Sequence, residues 1–312
     1  MANTTEPGIA FLQQPIQAVS VIIPCKNEEK AILMTIHGIQ DALSTTALNY
    51  EIIVVDDGST DATRQYALEA GARVLVHEIN LGYGNAIMNG IKMAKYPVVA
   101  MLDADGTYDP TALPEMIETL ARHDMVVGQR KWTPDNTTMT GRILRKLLYY
   151  IILVLSGSSV PDFNSGFRVF HKYNILHYRS LLCPTFSFTT TLTVLFLQTS
   201  HSVCFIPVEY SKRIGTSKVH YLRDAVRTFS FIFALSSVLR PYRISQLLLL
   251  LAISGNLLIV LFSFLLPLGT AMQIGLHVIC SVPLLLIAVA MDIFVNSQVY
   301  FSHVRRRGNA NL

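Results

Sequence analysis

The run "VVAMLDADGTYDP" (residues 98–110) ends an apolar stretch in two carboxylates one residue apart, Asp103 and Asp105. Two further apolar runs close in the same way, "VSVIIP" on "PCKNEE" (24–29) and "EIIVVDD" on "DDGSTD" (56–61). Carboxylates gathered at one mouth repel one another unless a cation or hydrogen-bond donors compensate them. Oxygen ligands select a hard ion, so the expected cofactor is Mg²⁺ or Mn²⁺, held by Asp103 and Asp105 and completed by diphosphate oxygens and water. A lone Asp-x-Asp pair is equally at home in turns and caps. Its position at the end of an apolar run, with a second acidic cluster elsewhere, is what points to a bound cation.

The elements that must position these residues follow from hydrophobic pattern. β-rich runs at 19–24, 51–57, 72–78, 98–105 and 125–130 alternate with helix-like stretches near 29–43, 60–70, 84–94 and 110–122. Near-continuous apolar strands joined by helical crossovers predict an α/β fold, a mainly parallel sheet with helices on both faces. Ser59 or Thr60 is the expected cap of the second helix, and Asp109 followed by Pro110 marks the start of the fourth. In such a sheet ligands gather at the carboxyl ends of the strands, so Pro24, Asn27, Glu28, Asp56, Asp57, Asp103 and Asp105 are expected on one edge. "LGYGNAIMNG" carries Gly82 and Gly84 but has Ile87 where a dinucleotide fingerprint needs its third glycine, which argues against hydride transfer. Those glycines, with Gly90, suit a tight turn and close helix packing, while Asn80 suits either a ligand contact or a cap.

Of the 312 residues, 51% are hydrophobic and 15% charged, with a net charge of +4. The apolar excess lies in the last quarter, and basic residues flank apolar runs, which points to anionic lipid and away from nucleic acid. Four widely spaced cysteines suggest neither a zinc knuckle nor a disulfide framework. Residues 1–17 lack the basic start and apolar segment of a signal peptide and read as a flexible leader. Residues 244–266 carry no charge and are long enough to cross about 30 Å of hydrocarbon. A second apolar run, 274 to 291, predicts a two-helix transmembrane hairpin over 244–312. Arg240 and Arg243 before it and Arg305, Arg306 and Arg307 after it place both ends and the head in the cytoplasm. Two shorter apolar runs, at 147–155 and 228–239, predict interfacial helices near 139–157 and 219–243, with Arg142, Arg145, Lys146, Arg223 and Arg227 toward phosphates. Ordinary buried helices with a solvated edge are the competing expectation. Pairing into a homo-oligomer is left open.

"VIIPCKNEE", "VVDDGSTD", "NLGYGNAIMNG", "LDADG", "DFNSGFRVF" and "KRIGTSK" occur in that order, and over residues 18–218 the chain resembles family 2 glycosyltransferases of the GT-A fold. Together with the apolar C-terminal region, it resembles the polyprenyl-phosphate group, which includes dolichyl-phosphate mannose synthase and undecaprenyl-phosphate sugar transferases. The resemblance implies a nucleotide-diphosphate sugar and a polyprenyl phosphate as partners. It puts Pro24, Asn27, Glu28 and Asp57 around base and ribose, and Asp103 and Asp105 on nucleotide and metal. Arg130 of "GQR" would meet substrate phosphate, with Arg142, Arg145 and Lys146 where the lipid phosphate arrives. Ser165 and Arg168 of "SGFR" would line the site at the acceptor phosphate, and Arg213, Ser217 and Lys218 of "KRIGTSK" at the nucleotide sugar. Thr107 stands where mannose synthases of this group carry Gln, which favours a UDP-sugar over GDP-mannose. A lipid monophosphate is already anionic and can attack the anomeric carbon directly, so a single inverting displacement is expected. A processive polysaccharide synthase is the enzymatic alternative, although no QxxRW signature is present; an inactive sugar-nucleotide-binding scaffold is the other.

Overall fold

A computed structural model describes residues 15–131, 139–185, 187–214 and 221–265, together with separate short stretches between 269 and 289. The chain divides into two units, Met1–Lys146 with Ser159–Phe231 and Leu147–Ser158 with Ile232–Leu312.

The first unit is built on one sheet. In chain order its elements are β1 (Ala18–Cys25), α1 (Ile32–Ser44), β2 (Asn49–Asp57), α2 (Thr63–Glu69), β3 (Arg73–His77), α3 (Tyr83–Met93), β4 (Val98–Met101), α4 (Leu113–Leu120) and β5 (Met125–Arg130). After α5 (Met139–Ser156) come β6 (Arg168–His171), α6 (Lys172–His177), α7 (Phe188–Gln198), β7 (Val203–Val208) and α8 (Tyr221–Leu239); the second unit begins at Leu147 within α5 and again at Ile232 within α8. The seven strands lie in the order β3-β2-β1-β4-β6-β5-β7. All neighbouring pairs are parallel except those of β6, which runs antiparallel to both β4 and β5.

The expected mainly parallel sheet is therefore present, and its central strands owe their apolar character to burial on both faces. Val19, Val21, Ile22 and Ile23 of β1 and Val99, Ala100 and Met101 of β4 have no solvent exposure. α3 lies so close to β1 and β2 that a Cβ on Gly90 would come within 2.6 Å of the Ile22 side chain, so only glycine fits. Asp109 accepts from Thr111 N at 2.9 Å and opens a 3-10 turn, Pro110–Ala112, as its sequence position anticipates. Neither Ser59 nor Thr60 caps α2. Asp61 lies nearer and takes Thr63 N at 3.1 Å, leaving Ser59 and Thr60 to face the first loop.

The second unit is helical. Its α9 (Pro241–Leu265) contains, among the described residues, the one helical stretch long and apolar enough to cross a membrane, Pro241–Leu261 with mean hydropathy 2.3. The apolar stretches Lys146–Ser156 and Val226–Leu239 are helical but too short to span. Of the expected second span, residues 275–278, 281–282, 284–287 and 289 are helical. Asn256 of α9 donates to Ser281 Oγ at 2.7 Å and pairs with His277. The rest of that span, Arg305 to Arg307 and most of the expected leader lie outside the described residues.

Candidate active site

Parallel pairing decides where the acidic residues go. Cys25 at the tip of β1 is in register with Asp56 on β2, and Ile22 on β1 with Met101 at the tip of β4, so all three strands end on the same edge. The loops that follow are stitched together. Asn27, at φ +52°, accepts from Thr60 N at 2.8 Å while its own N–H donates to Ser59 Oγ at 2.9 Å. Glu28 N donates to Thr63 Oγ1 at 2.8 Å, and Ala62 N donates to Glu29 at 3.2 Å. Pro24 is buried on β1 beside Val55.

The aspartates of β2 are occupied by their own backbone surroundings. Asp56 accepts from Ser59 N at 2.9 Å. Asp57 receives Leu81 N and Gly82 N, each at 2.8 Å, and the ring of His77, also at 2.8 Å. Both its carboxyl oxygens hold the 77–82 loop, so its geometry is that of a brace. Asn80 accepts from Gly82 N at 3.0 Å, which is turn-forming work of the kind a cap does.

Beyond β4 the two aspartates part company. Asp103 accepts from Tyr83 OH at 2.7 Å. Burial, and then the charge of Asp105, push its carboxyl up to about 6 from an ordinary 3.8. Asp105 turns one oxygen, Oδ1, toward Thr107, whose N–H and hydroxyl donate at 3.2 and 2.6 Å. Its other oxygen, Oδ2, lies 3.4 Å from Arg213 Nη1. The same guanidinium pairs with Glu28. Thus Glu28, Asp105 and Arg213, distant in sequence, form one cluster.

A fourth segment enters because β6 is reversed. Its amino end lies at the edge where β4 and β5 finish, which brings the loop 162–167 against the aspartates. A Cβ on Gly166 would fall 2.2 Å from Asp103 Oδ2, so only glycine lets the loop come this close. Tyr108 ties it further: its hydroxyl meets Ser165 Oγ at 3.2 Å and accepts from Gly166 N at 2.8 Å. At the other end of the loop Asp162 grips Arg130 through Nε at 2.7 Å and Nη2 at 2.8 Å. That pair pulls Asp162 below the usual carboxylate range and holds Arg130 charged. The Arg130 guanidinium also lies 5.3 Å over the ring of Tyr210, which packs edge-on against Tyr108.

Arg168 departs from its expected role at a substrate phosphate. It has no solvent exposure, and its guanidinium donates to Ser165 O (2.8 Å), Phe163 O (3.0 Å) and Thr193 Oγ1 (2.7 Å). Burial lowers it to about 10. Its work is to hold the 162–167 loop from behind. Arg142 and Lys146 are exposed on α5, with no described contact to the strand-tip cluster; the side chain of Arg145 and residues Ser217 and Lys218 lie outside the described residues. Sequence reasoning passed over Asp162, Tyr83, Tyr108 and Tyr210. Asp162 was within sight as the first acidic residue of "DFNSGFR", but its partner stands 32 positions away.

Among the described residues no three His, Cys, Asp or Glu side chains gather to hold a metal. Asp105 Oδ2 with Asp103 is a donor set that fits Mg²⁺ or Mn²⁺ only if substrate oxygens and water supply the rest, which is the usual arrangement for a diphosphate-bound ion.

The sequence model for "Glycosyl transferase family 2" matches residues 20–178, from β1 through the aspartates and the 162–167 loop. The chain belongs to glycosyl transferase family 2. Among curated members it is 29% identical over 220 residues to glycosyltransferase AglJ of Haloferax volcanii, covering 69% of this chain and 70% of that one. It is 28% identical over 258 residues to an undecaprenyl-phosphate 4-deoxy-4-formamido-L-arabinose transferase of Pectobacterium carotovorum, covering 79% and 76%. A dodecaprenyl-phosphate galacturonate synthase of Rhizobium johnstonii is 30% identical over 184 residues, 54% and 53% of the two chains. In three dimensions glucosyl-3-phosphoglycerate synthase of Mycobacterium tuberculosis, solved with Mn²⁺ and UDP, superposes with a TM-score of 0.55 at 20% identity over 70% of this chain and 80% of that one. The architecture of this family 2 member is accordingly the GT-A fold.

Proposed function

We propose that this family 2 enzyme is a membrane-bound inverting glycosyltransferase that moves a sugar from a nucleotide-diphosphate sugar, a UDP-sugar in preference to GDP-mannose, to a polyprenyl phosphate. The observation that carries the reading is the meeting of two opposite charge sets at one edge of the sheet. Asp103 and Asp105 suit a metal-bound diphosphate, and the loop that touches Asp103 also presents Arg130. The names of the relatives, two of which act on undecaprenyl or dodecaprenyl phosphate, support the acceptor class.

In this reading Glu28, Asn27 and Pro24 flank the base and ribose, with Asp56 and Asp57 bracing the loops around them. Asp105 offers Oδ2 to the cation because Thr107 has taken Oδ1. A bound Mg²⁺ or Mn²⁺ would supply positive charge at the departing diphosphate. Asp162 holds the Nε edge of Arg130, so the other edge of the guanidinium is the one presented to the acceptor phosphate. That phosphate is already anionic and needs no general base, so the residues contribute alignment and charge. Attack at the anomeric carbon from the side opposite the diphosphate inverts the centre. Arg142, Arg145 and Lys146 on α5 would receive the lipid headgroup, with Ser217 and Lys218 on the donor side.

α9 would anchor the chain, with residues 274–291 as the returning arm of a hairpin. The arginines flanking it favour a cytoplasmic head. The pairing of Asn256 with His277 and Ser281 is the kind of polar contact that holds two membrane helices together. The apolar halves of α5 and α8 would lie in the headgroup layer. Purified full-length protein incubated with polyprenyl phosphate, Mn²⁺ and a panel of UDP- and GDP-sugars tests the proposal. A glycolipid formed with at least one donor is the expected result; none with any donor rejects it.

A further inference from the structure

Arg213 sits where a cation of the donor site would be expected. Its Nη1 lies 3.4 Å from Asp105 Oδ2, the oxygen Thr107 leaves open, and its Nη2 donates to Glu28. Its Nε is buried and has no hydrogen-bond acceptor among the described residues. A buried donor without an acceptor is costly, so the guanidinium is incompletely satisfied in this position. It neutralises carboxylates here and keeps one N–H for which no described residue is the acceptor.

We infer that Arg213 is the counter-cation of the donor-site carboxylates and that a divalent ion must displace it from Asp105. This rests on the donor-site reading above. Asp105 Oδ2 can serve the guanidinium or a metal ion, and a compact divalent charge outcompetes a single delocalised one only after breaking the existing pair. A nucleotide diphosphate eases the exchange, because its oxygens give the released guanidinium, including Nε, a new anionic partner. Metal and nucleotide loading are thereby coupled through one side chain, and the acidic cluster is never left without a counter-charge.

The sign of one substitution separates this from an ordinary lining role. A residue that merely shapes the site weakens metal binding when removed; a competitor strengthens it. Mn²⁺ binding to the full chain in detergent, followed by the electron paramagnetic resonance signal of free Mn²⁺ without nucleotide, should tighten about tenfold in Arg213→Gln, the size of a part-buried ion pair. Arg213→Lys keeps the charge and should stay within about threefold of the unsubstituted protein. Independently of any variant, phenylglyoxal should modify Arg213 faster when Mn²⁺ alone is added, read by mass spectrometry. Unchanged or weaker Mn²⁺ binding in Arg213→Gln, or an unchanged labelling rate, overturns the inference while leaving the donor site intact. If the unsubstituted protein binds no Mn²⁺ even with saturating UDP or GDP, the donor-site reading falls and the inference falls with it.

Discussion

Arg130 and Asp162 form a two-pronged ion pair, Nε to Oδ2 at 2.7 Å and Nη2 to Oδ1 at 2.8 Å, with the arginine side chain 22% and the aspartate side chain 11% exposed. The pair joins the end of β5 to the loop before β6. It fixes the plane of the guanidinium, and Tyr210 beneath it limits what other orientation it can take. Asp162→Ala should lower kcat/KM for the lipid acceptor by about 10–100-fold, while KM for the nucleotide sugar changes less than about threefold. Steady-state kinetics with each substrate varied in turn check this. An equal rise in both KM values would mean that the whole crevice had collapsed.

Thr107 orients Asp105 by donating to Oδ1 at 2.6 Å. Thr107→Val preserves shape and removes the hydroxyl. The Mn²⁺ concentration giving half-maximal transfer should rise about tenfold, corresponding to one hydrogen bond to a charged group. Asp105→Asn should remove more than about 100-fold of the activity, since it takes away the anionic oxygen itself. Membrane extraction behaviour of both variants should match that of the unsubstituted chain.

Asp103 gives a pH signature. Its carboxyl stands at about 6 in the fold against 3.8 in an unfolded chain, chiefly through burial and then through Asp105. Folding therefore favours its protonated form. Its contribution to stability is complete below pH 3.8 and is lost as pH rises to about 6. Asp103→Asn removes that loss, so in chelator the variant should gain on the unsubstituted protein between those two values and hold a constant lead of about 1–3 kcal/mol above them. Denaturant unfolding at a series of pH values measures the gap. A gap of the same size at every pH would contradict it.

Gly166 admits no side chain, because a Cβ would lie 2.2 Å from Asp103 Oδ2. Gly166→Ala should cost about 1–3 kcal/mol by overpacking. Activity should fall further than stability alone explains, because the aspartate and the loop must move apart. Thermal unfolding and transfer assays on the same preparation separate the two effects.

The half of the candidate site built on β1, β2 and β4 was legible because buried parallel strands are written as unbroken apolar runs, and a carboxylate at the end of such a run can only lie at the sheet edge. β1, β2 and β4 all announced themselves in this way. The half built around β5 and β6 was harder to read. β6 is four residues long, and nothing local reveals that it runs backward between β4 and β5. α7, "FTTTLTVLFLQ", is rich in β-branched residues and has no polar face, since all but Leu197 of its residues are buried; periodicity has nothing to detect there. Arg168 was expected at the substrate because the sequence shows its charge and not the three acceptors that enclose it. Asp57 looked like a ligand-facing acid for the same reason: the two amides it receives, at Leu81 and Gly82, belong to a loop more than twenty residues away.

Because β5 and β6 are adjacent and antiparallel, the chain leaves the sheet after Arg130 and returns at Arg168 on the same side, with Gly128 N bonded to Phe167 O at 2.9 Å where the excursion closes. The two ends of this interval are therefore pinned by neighbouring strands. Asp162, Ser165 and Gly166 are tied to Arg130, Tyr108 and Asp103, so any change of length has to fall before Asp162. On the proposed function, a chimera that takes residues 131–161 from a relative with a different lipid carrier should change the carrier used and keep the sugar nucleotide, which assays with each substrate varied in turn would check.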